Sequence, residues 1–327
     1  MGCVASRCVG WLYLSFFSRC LAQLAHRSEQ IVDPRMVRYE PKDGELMYHY
    51  CSPNTLLAIL QHRSFRLTDV SEMNDSLELR WGIELLRDVI KVRDPLTPRV
   101  TSSLDWAIRV VNDLSMVVAG CFSTKPDVLS QWRAYSDNGA GFCIGFDPKV
   151  FVEPPVNMRR VFYSRAEQEA LVTMWLDEIA EIGKQVDEAE SRFGRDGDEE
   201  DEDDLIDGTA LRIVADLAAF KNQAFSEEQE IRLVHLASVS DVQGAPCVEF
   251  LHASEDDGWP DNRIPQIGFM MRGSVPVCYL DIPITHATIK EVVIGPRALV
   301  TDQAIARLLG TLGFRQVRVR RSEASYR

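Results

Sequence analysis

Hydrophobic and polar positions alternate in short runs towards both ends of the chain and recur with helical spacing in its middle. Leu46–Cys51 alternates as a strand does, and Ser52-Pro53 follows as a helix start, with Ser as N-cap and Pro in the first turn. Met116–Phe122 is apolar without interruption, which predicts a buried strand. Helices clustered mid-chain with strands on either side predict an α+β fold with a single mixed or antiparallel sheet.

The same signals predict the remaining elements. Further strands are expected at residues 65–68, 141–146, 161–163, 225–234, 277–282, 289–294 and 316–320. Further helices are expected at about residues 77–92, 104–114, 127–135, 164–193, 209–223 and 302–312. A stretch rich in Gly, Pro and Asp predicts an extended hinge at about residues 241–274.

The periodic pattern divides the chain into an N-terminal extension, residues 1–45, and a single α+β domain, residues 46–327. Within the domain, residues 194–208 hold nine acids and predict a solvated, mobile acidic loop. Removing these nine acids from the net charge of −13 leaves −4. Such a body lacks the basic surface of a dedicated duplex-binding protein, so we expect no stable binding to duplex nucleic acid.

The first 35 residues admit three interpretations. They can reflect a start codon placed too early, with Met36 as the true beginning, or an ordinary extension. They can also form a lipidated, membrane-touching segment of an effector, because Gly2 fits the N-myristoylation pattern and Cys3 is a palmitoylation candidate. The apolar run that begins at Gly10 is too short to span a bilayer. Membrane contact is expected only if this segment is real.

Cysteine and histidine usage bears on compartment and metal binding. The eight cysteines include no Cys-x2-Cys pair, and several lie inside apolar runs. They predict reduced, buried thiols in a cytoplasmic compartment. The six histidines include no His-x3-His pair, so no metal site is predicted.

Phe225–Val234 carries the clearest candidate chemistry. If the whole segment is a strand, Glu228, Glu230 and Arg232 share one face, because side chains two apart point the same way. Two neighbouring carboxylates can divide the work of charge stabilisation and proton transfer. The alternative is that these residues form the wet face of a half-buried strand.

Five motifs span most of the chain. In order, they are Tyr48-His-Tyr50 before a Leu-rich helix, Leu67-Thr-x4-Met-Asn-Asp-x2-Glu78, Phe122-Ser-x5-Leu-Ser-Gln-Trp-Arg-Ala-Tyr135, Phe225-x-Glu-Glu-x-Glu-x-Arg-Leu-Val234, and Val-Val-Ile-Gly-Pro296 with Ser322-x3-Tyr-Arg327. Together they resemble the bacterial domain-of-unknown-function family 2971. The resemblance runs from about residue 46 to the C-terminus, and its Ser-Gln-Trp-Arg-Ala-Tyr block is specific.

The chain is also similar to ADP-ribosyltransferases in three local contexts. His49 lies on the opening strand, Phe122-Ser-Thr124 closes a buried strand, and Glu228-x-Glu230 starts a late strand. This resemblance implies a pocket for nicotinamide adenine dinucleotide (NAD). His49 would bond the nicotinamide ribose, Ser123 would lie beside the nicotinamide, and Glu230 would be the catalytic carboxylate with Glu228 as its partner.

A fixed carboxylate suits this chemistry because cleavage of the nicotinamide–ribose bond leaves positive charge on the ribose. Trp132 or Tyr135 would stack on the cationic nicotinamide ring, and Arg66 is a further cofactor-binding candidate. Sequence spacing assigns no arginine-rich phosphate clamp. The implied function is transfer of ADP-ribose from NAD to an unknown macromolecule or nucleotide, as in a bacterial toxin or phage-defence effector.

Two other functions compete with this one. A non-catalytic recognition domain would pair each glutamate with an arginine (Arg66, Arg133 or Arg232) and leave no open cleft beside them. A metal-dependent nuclease would use Asp75, Glu228 and Glu230. Convergence of His49, Ser123, Tyr135 and Glu230 on one cleft would favour the transferase.

Overall fold

The predicted mixed sheet is present in the computed structural model, which describes residues 37–70, 78–151, 157–193, 199–242, 245–249 and 266–326. Its strands in these ranges are β1 (Met47–Cys51), β2 (Ser64–Asp69), β3 (Ser115–Ser123), β4 (Phe142–Phe146), β5 (Asn157–Arg160), β6 (Glu230–Val242), β7 (Ala245–Glu249), β8 (Gln266–Arg272), β9 (Val275–Pro283), β10 (Ile289–Ile294) and β11 (Arg318–Arg321). The helices of the same ranges are α1 (Pro53–His62), α2 (Glu78–Val92), α3 (Pro98–Arg109), α4 (Leu129–Tyr135), α5 (Arg165–Phe193), α6 (Glu199–Asp216) and α7 (Asp302–Thr311). The α+β prediction is confirmed.

The sheet is built around β3. The strand order is β11-β10-β4-β1-β3-β2-β9-β8, and β6 joins β3 to β5 and β7. Among the described strands, only β10 and β11 run parallel. Alternate residues of β3 pack into different cores. Val117 packs with the layer formed by α2, α3, α5 and α6, whereas Val118 packs with the aromatic cluster beneath α1.

One edge of β3 is divided between two strands. The other edge pairs with β6 along the whole length of β3. On the divided edge, β2 pairs at Val118 and Ala119, whereas β1 pairs at Ser123. The sheet therefore opens between β1 and β2 beside Gly120–Phe122, and the candidate site lies at this opening.

Local start and stop signals agree with the structure. The Ser52 hydroxyl accepts a hydrogen bond from Thr55 N, as predicted for an N-cap. Gly313 ends the last helix with a φ of +94°, a left-handed conformation that favours glycine. The helix predicted at 104–114 begins earlier, at Pro98, because Thr97 caps it, and it ends in a π-helical turn over Val110–Leu114.

Three predicted segments differ from the structure. The short strand expected at 161–163 is β5, a few residues earlier, and Phe162 forms an isolated bridge with Phe220. The acidic segment is helical from Glu199 onward, because Ile206 and Ala210 are buried at helical spacing against the neighbouring helices. The helix expected at 209–223 is the second half of α6, and it ends at Asp216.

The hinge expected at 241–274 contains β7 and β8, and its residues 250–265 lie outside the described ranges. The predictions for residues 1–36 and 194–198 also fall outside them. Residues 37–45, which the sequence assigns to the extension, pack against the sheet, and Tyr39 N donates to Met158 O at 3.0 Å. None of the described helices is both long enough and apolar enough to cross a membrane.

Candidate functional site

A cavity of about 260 Å³ opens where β1 and β2 diverge. The second half of β3, Ala119–Ser123, forms part of its wall. Its charged lining residues are Arg66, Lys221, Glu228, Glu230, Arg232 and Arg272. Four cationic and two acidic side chains therefore surround a space that is partly walled by sheet backbone.

Glu230 is the first residue of β6 and lies opposite Ser123 on β3. Arg232, two positions along the same face, donates from Nε to Glu230 Oε1 at 2.7 Å and from Nη2 to Oε2 at 3.1 Å. Lys221 Nζ donates to Glu230 Oε2 at 2.9 Å. The carboxylate is buried and held at both oxygens by two cations.

These contacts decide the ionisation of Glu230. Burial alone would raise the pKa of its carboxyl group, but the charges of Arg232 and Lys221 outweigh burial and lower the pKa to about 2. Glu230 is therefore a fixed negative charge at neutral pH. Such a group can stabilise positive charge on a bound ligand, and it does not act as a proton donor.

Glu228 differs from the sequence prediction in its local structure. It ends the 3-10 helix Gln223–Glu228, and Gln229 follows with a φ of +43°, so Glu228 does not lie on the face of a strand with Glu230. Lys221 nevertheless holds the two carboxylates close together, because its ammonium group contacts both of them. Its Nζ lies 2.7 Å from Glu228 Oε2 and 2.9 Å from Glu230 Oε2.

Lys221 is the main functional candidate that the sequence analysis missed. It follows the buried Phe220, and its backbone carbonyl accepts a hydrogen bond from Gln168 Nε2 at 2.9 Å. Its side chain is buried, and Nζ lies 4.9 Å from the centre of the Phe225 ring. The available signal is a single lysine that ends an apolar run shortly before two acids. The periodicity of a single helix or strand does not predict that Lys221 lies near Glu230, because a turn and a 3-10 helix separate Lys221 from β6.

His49 fills the opening between β1 and β2. Its Nδ1 lies 3.0 Å from the Cys121 carbonyl oxygen, which only accepts hydrogen bonds, so Nδ1 carries the proton and Nε2 has the lone pair. The ring packs edge-on against Phe65, with 5.0 Å between ring centres. Burial lowers the pKa of His49 and keeps the ring neutral. Among the described residues, no hydrogen bond reaches Nε2.

Ser123 and Tyr135 both contact Glu228. Ser123 Oγ donates to the Glu228 carbonyl oxygen at 2.7 Å and accepts from Lys125 N at 3.1 Å. Its hydroxyl therefore positions the turn before β6. Tyr135 OH donates to Glu228 Oε1 at 3.0 Å, and burial raises the pKa of this phenol. The Tyr135 side chain remains partly exposed at the cavity.

Trp132 and Arg66 have different positions from those predicted. Trp132 is fully buried away from the cavity wall, where its Nε1 donates to Asp127 Oδ1 at 2.6 Å. It therefore does not provide a stacking wall, and Tyr135 is the aromatic candidate that lines the cavity. Arg66 lines the cavity and forms a two-point ion pair with Asp281, not with a glutamate.

Four residues that the sequence named as discriminating, His49, Ser123, Tyr135 and Glu230, line this one cavity. Asp75, which the nuclease hypothesis needs, lies outside the described residues. Within the described ranges, no group of three or more His, Cys, Asp or Glu side chains is placed to hold a metal ion. The Lys221 ammonium lies between the two carboxylates, where a bridging metal ion would otherwise bind.

Comparison with known proteins finds one similarity, to a family model that covers part of the chain. Residues 131–233 match the family model described as Protein of unknown function (DUF2971), and the match includes Tyr135, Lys221, Glu228 and Glu230. No curated protein and no solved structure matches the chain. The similarity to ADP-ribosyltransferases has no support from these comparisons and stays a prediction. Residues 131–233 are thus similar to the domain-of-unknown-function family 2971, the family that the sequence motifs resemble over a longer range.

Proposed function

We propose that this protein is an enzyme of ADP-ribosyltransferase type that cleaves NAD at the nicotinamide–ribose bond and transfers ADP-ribose to an acceptor. The observation that carries the proposal is the arrangement of His49, Ser123, Tyr135 and Glu230 around one cavity. These residues come from four separate elements, so their convergence is a property of the fold and not of any local sequence motif.

The proposed reaction begins with loss of nicotinamide, which leaves with the electron pair of the glycosidic bond. The ribose then carries oxocarbenium-like positive charge, which the ionised Glu230 stabilises in a partly enclosed site. The acceptor forms the new bond at the same ribose carbon and gives its proton to Glu228, which lies beside Glu230 across Lys221. Arg232 and Lys221 fix the orientation of the Glu230 carboxylate.

Other lining residues suit the rest of the substrate. The Nε2 lone pair of neutral His49 can accept a hydrogen bond from a ribose hydroxyl. Tyr135 lines the cavity, and in this proposal its ring flanks the nicotinamide. Arg272 also lines the cavity, and no carboxylate in the described part of the chain forms an ion pair with it. It supplies the positive charge for phosphate groups that sequence spacing alone did not assign.

The test is NAD turnover with a matched pair of variants. Purified protein is incubated with labelled NAD and cell extract, and both nicotinamide release and label transfer are measured. We expect Glu230→Gln to lower turnover by roughly 100-fold or more, because it removes the stabilising charge. Glu291→Gln is the control, since Glu291 is also a buried strand glutamate held by an arginine but does not line the cavity.

We expect Glu291→Gln to leave turnover within about threefold of the wild type, because it removes no charge from the cavity. Circular dichroism and thermal melts confirm that both variants are folded. Absence of nicotinamide release and label transfer from folded wild-type protein, with protein, RNA and DNA acceptors, would overturn the proposal. Equal losses in the two variants would also overturn it.

The second candidate function is a non-catalytic recognition domain. The observation in its favour is the Glu230–Arg232 ion pair, which this function requires, although the cavity beside it is open. Recognition predicts saturable ligand binding with no chemical change in the ligand. The same NAD assay separates the two functions, because mass spectrometry distinguishes intact bound NAD from released nicotinamide.

A further inference from the structure

Arg66 is held in one orientation at the wall of the cavity. Its Nε and Nη2 donate to the two carboxylate oxygens of Asp281, each at 2.8 Å. Its guanidinium carbon lies 3.4 Å from the centre of the Tyr279 ring. The ion pair and the stacking contact together fix the plane of the guanidinium group.

The Tyr279 ring occupies space that only a glycine leaves. Gly268 on β8 pairs directly with Tyr279 on β9. A Cβ atom added to Gly268 would lie 2.5 Å from atoms of the Tyr279 ring and hydroxyl. The ring therefore lies across the backbone of Gly268, and any larger residue there would displace it.

The Arg66 side chain is accessible from the cavity. Arg66 is among the residues that line the cavity, whereas Tyr279, which stacks on its guanidinium, is not. The Arg66 side chain is 39% exposed. Asp281 offsets its charge and accepts from Nε and Nη2, and Nη1 lies 3.8 Å from the Met270 sulfur, so these contacts to the guanidinium lie along its edges.

We propose that Arg66 on Tyr279 is a stacking platform for a planar nitrogenous ring, and that Arg272 binds a phosphate attached to the same ligand. A guanidinium plane stacks well on a nucleobase. Arg272 lines the same cavity. Asp281 offsets the positive charge of Arg66, so we assign the phosphate to Arg272. The ligand class is a nucleotide, with its base on Arg66 and its phosphate at Arg272.

This subsite deepens the proposed function and rests on it for the identity of the whole ligand. Arg66 on β2 and Glu230 on β6 lie on opposite sides of β3, a separation of about 10 Å for two strand spacings. The platform is therefore placed for the base of NAD that is not nicotinamide, while Glu230 faces the ribose that loses nicotinamide.

Isothermal titration of the full chain with two small probes tests the platform. Adenosine monophosphate carries both base and phosphate, whereas ribose 5-phosphate carries the phosphate without the base. Arg66→Lys keeps the charge and removes the plane. We expect it to weaken adenosine monophosphate binding about tenfold, as for loss of one stacking contact, and to leave ribose 5-phosphate binding unchanged.

Two further variants complete the design. Gly268→Ala displaces the Tyr279 ring and leaves the Arg66 residue itself in place. We expect the same selective loss of adenosine monophosphate affinity, because the guanidinium loses the ring that fixes its plane. Arg272→Gln removes the phosphate partner, and we expect both probes to weaken by a similar factor. Thermal melts with and without adenosine monophosphate confirm that each variant is folded and provide an independent measure of binding.

Two outcomes would overturn the platform. One is equal weakening of both probes by Arg66→Lys, which would make Arg66 a simple charge. The other is absence of adenosine monophosphate binding at millimolar concentration. Neither probe contains the nicotinamide–ribose bond, so binding without NAD cleavage keeps the platform and removes the enzyme. NAD cleavage with unselective loss in Arg66→Lys keeps the enzyme and removes the platform.

Discussion

Glu230 and Glu291 are two buried strand glutamates with similar partners and different surroundings. Each is held at both carboxylate oxygens by one arginine, Glu230 by Arg232 and Glu291 by Arg320. The Arg320 side chain is 23% exposed, whereas that of Arg232 is 2% exposed. Glu230 lines the cavity, and Glu291 lies in a part of the sheet where β10 is paired on both edges.

The comparison shows that an arginine partner does not reveal the role of a buried glutamate. A buried ion pair is by itself a weak sign of either stability or function, because desolvation offsets much of its attraction. What distinguishes Glu230 is the opening between β1 and β2, the neighbouring Glu228 and the bridging Lys221. The candidate function therefore depends on where the sheet divides.

The largest expected difference between the two glutamates is in stability after loss of the arginine. Arg232→Met leaves a buried carboxylate with Lys221 alone and removes the donor to Ala218 O, so we expect it to lower the free energy of unfolding by about 3–5 kcal/mol. Arg320→Met removes a partly exposed partner, and we expect a loss of about 1 kcal/mol. Urea unfolding monitored by tryptophan fluorescence measures both.

Comparable losses in these two variants would contradict the comparison, because they would show that burial of the arginine has no effect on its contribution. Arg232→Lys provides a further control. It restores a positive charge without the two-point geometry, and we expect it to recover part of the lost stability.

The pH dependence of stability is the next largest effect. The pKa of Glu230 is lowered from its ordinary 4.5 to about 2, so the folded protein binds this proton less readily than the unfolded chain does. The resulting stabilisation is fully present above pH 4.5 and is lost as the pH falls towards 2. Its magnitude is about 3 kcal/mol.

This contribution is measured by urea unfolding of wild type and Glu230→Gln between about pH 6 and about pH 3. We expect the wild type to lose stability more steeply below pH 4.5, so that the difference between the two proteins narrows as the pH falls. A difference that stays constant across the range would show that Glu230 titrates normally in the folded protein.

Much of the fold was predictable from local sequence signals. The Ser52-Pro53 helix start, the apolar β3 and the Gly313 helix end all express their structure within a few neighbouring residues. The opening between β1 and β2 was not predictable in this way. It depends on which strands share the edge of β3, and strand order is decided by contacts between residues far apart in the chain.

The sequence named many of the residues that line the cavity, but part of the geometry that it predicted for them was wrong. The period-2 argument for Glu228 failed at a single residue, because the left-handed Gln229 turns the chain before β6 begins. Lys221 and Arg272 join the site through tertiary structure, and their neighbours in sequence do not indicate it. The prediction that Trp132 lines the cavity was wrong. On the short helix α4, the Trp132 side chain is buried in the core, whereas Tyr135 lines the cavity.

The smallest expected effect on stability concerns Tyr135. Its hydroxyl donates to Glu228, the second acid beside Glu230, and it therefore belongs to the surroundings that distinguish Glu230 from Glu291. Tyr135→Phe removes the hydrogen bond to Glu228 Oε1 and keeps the ring. Glu228 retains Lys221, so we expect the free energy of unfolding to fall by only about 1 kcal/mol.

Tyr326→Phe is the control, because the Tyr326 hydroxyl donates to Asn138 in an exposed contact away from the cavity, and we expect a change within about 0.5 kcal/mol. Urea unfolding measures both variants. A loss in Tyr135→Phe as large as that in Arg232→Met would mean that Glu228 and Tyr135 carry the stability of the cluster, and that Glu228 is not available to take a proton from an acceptor.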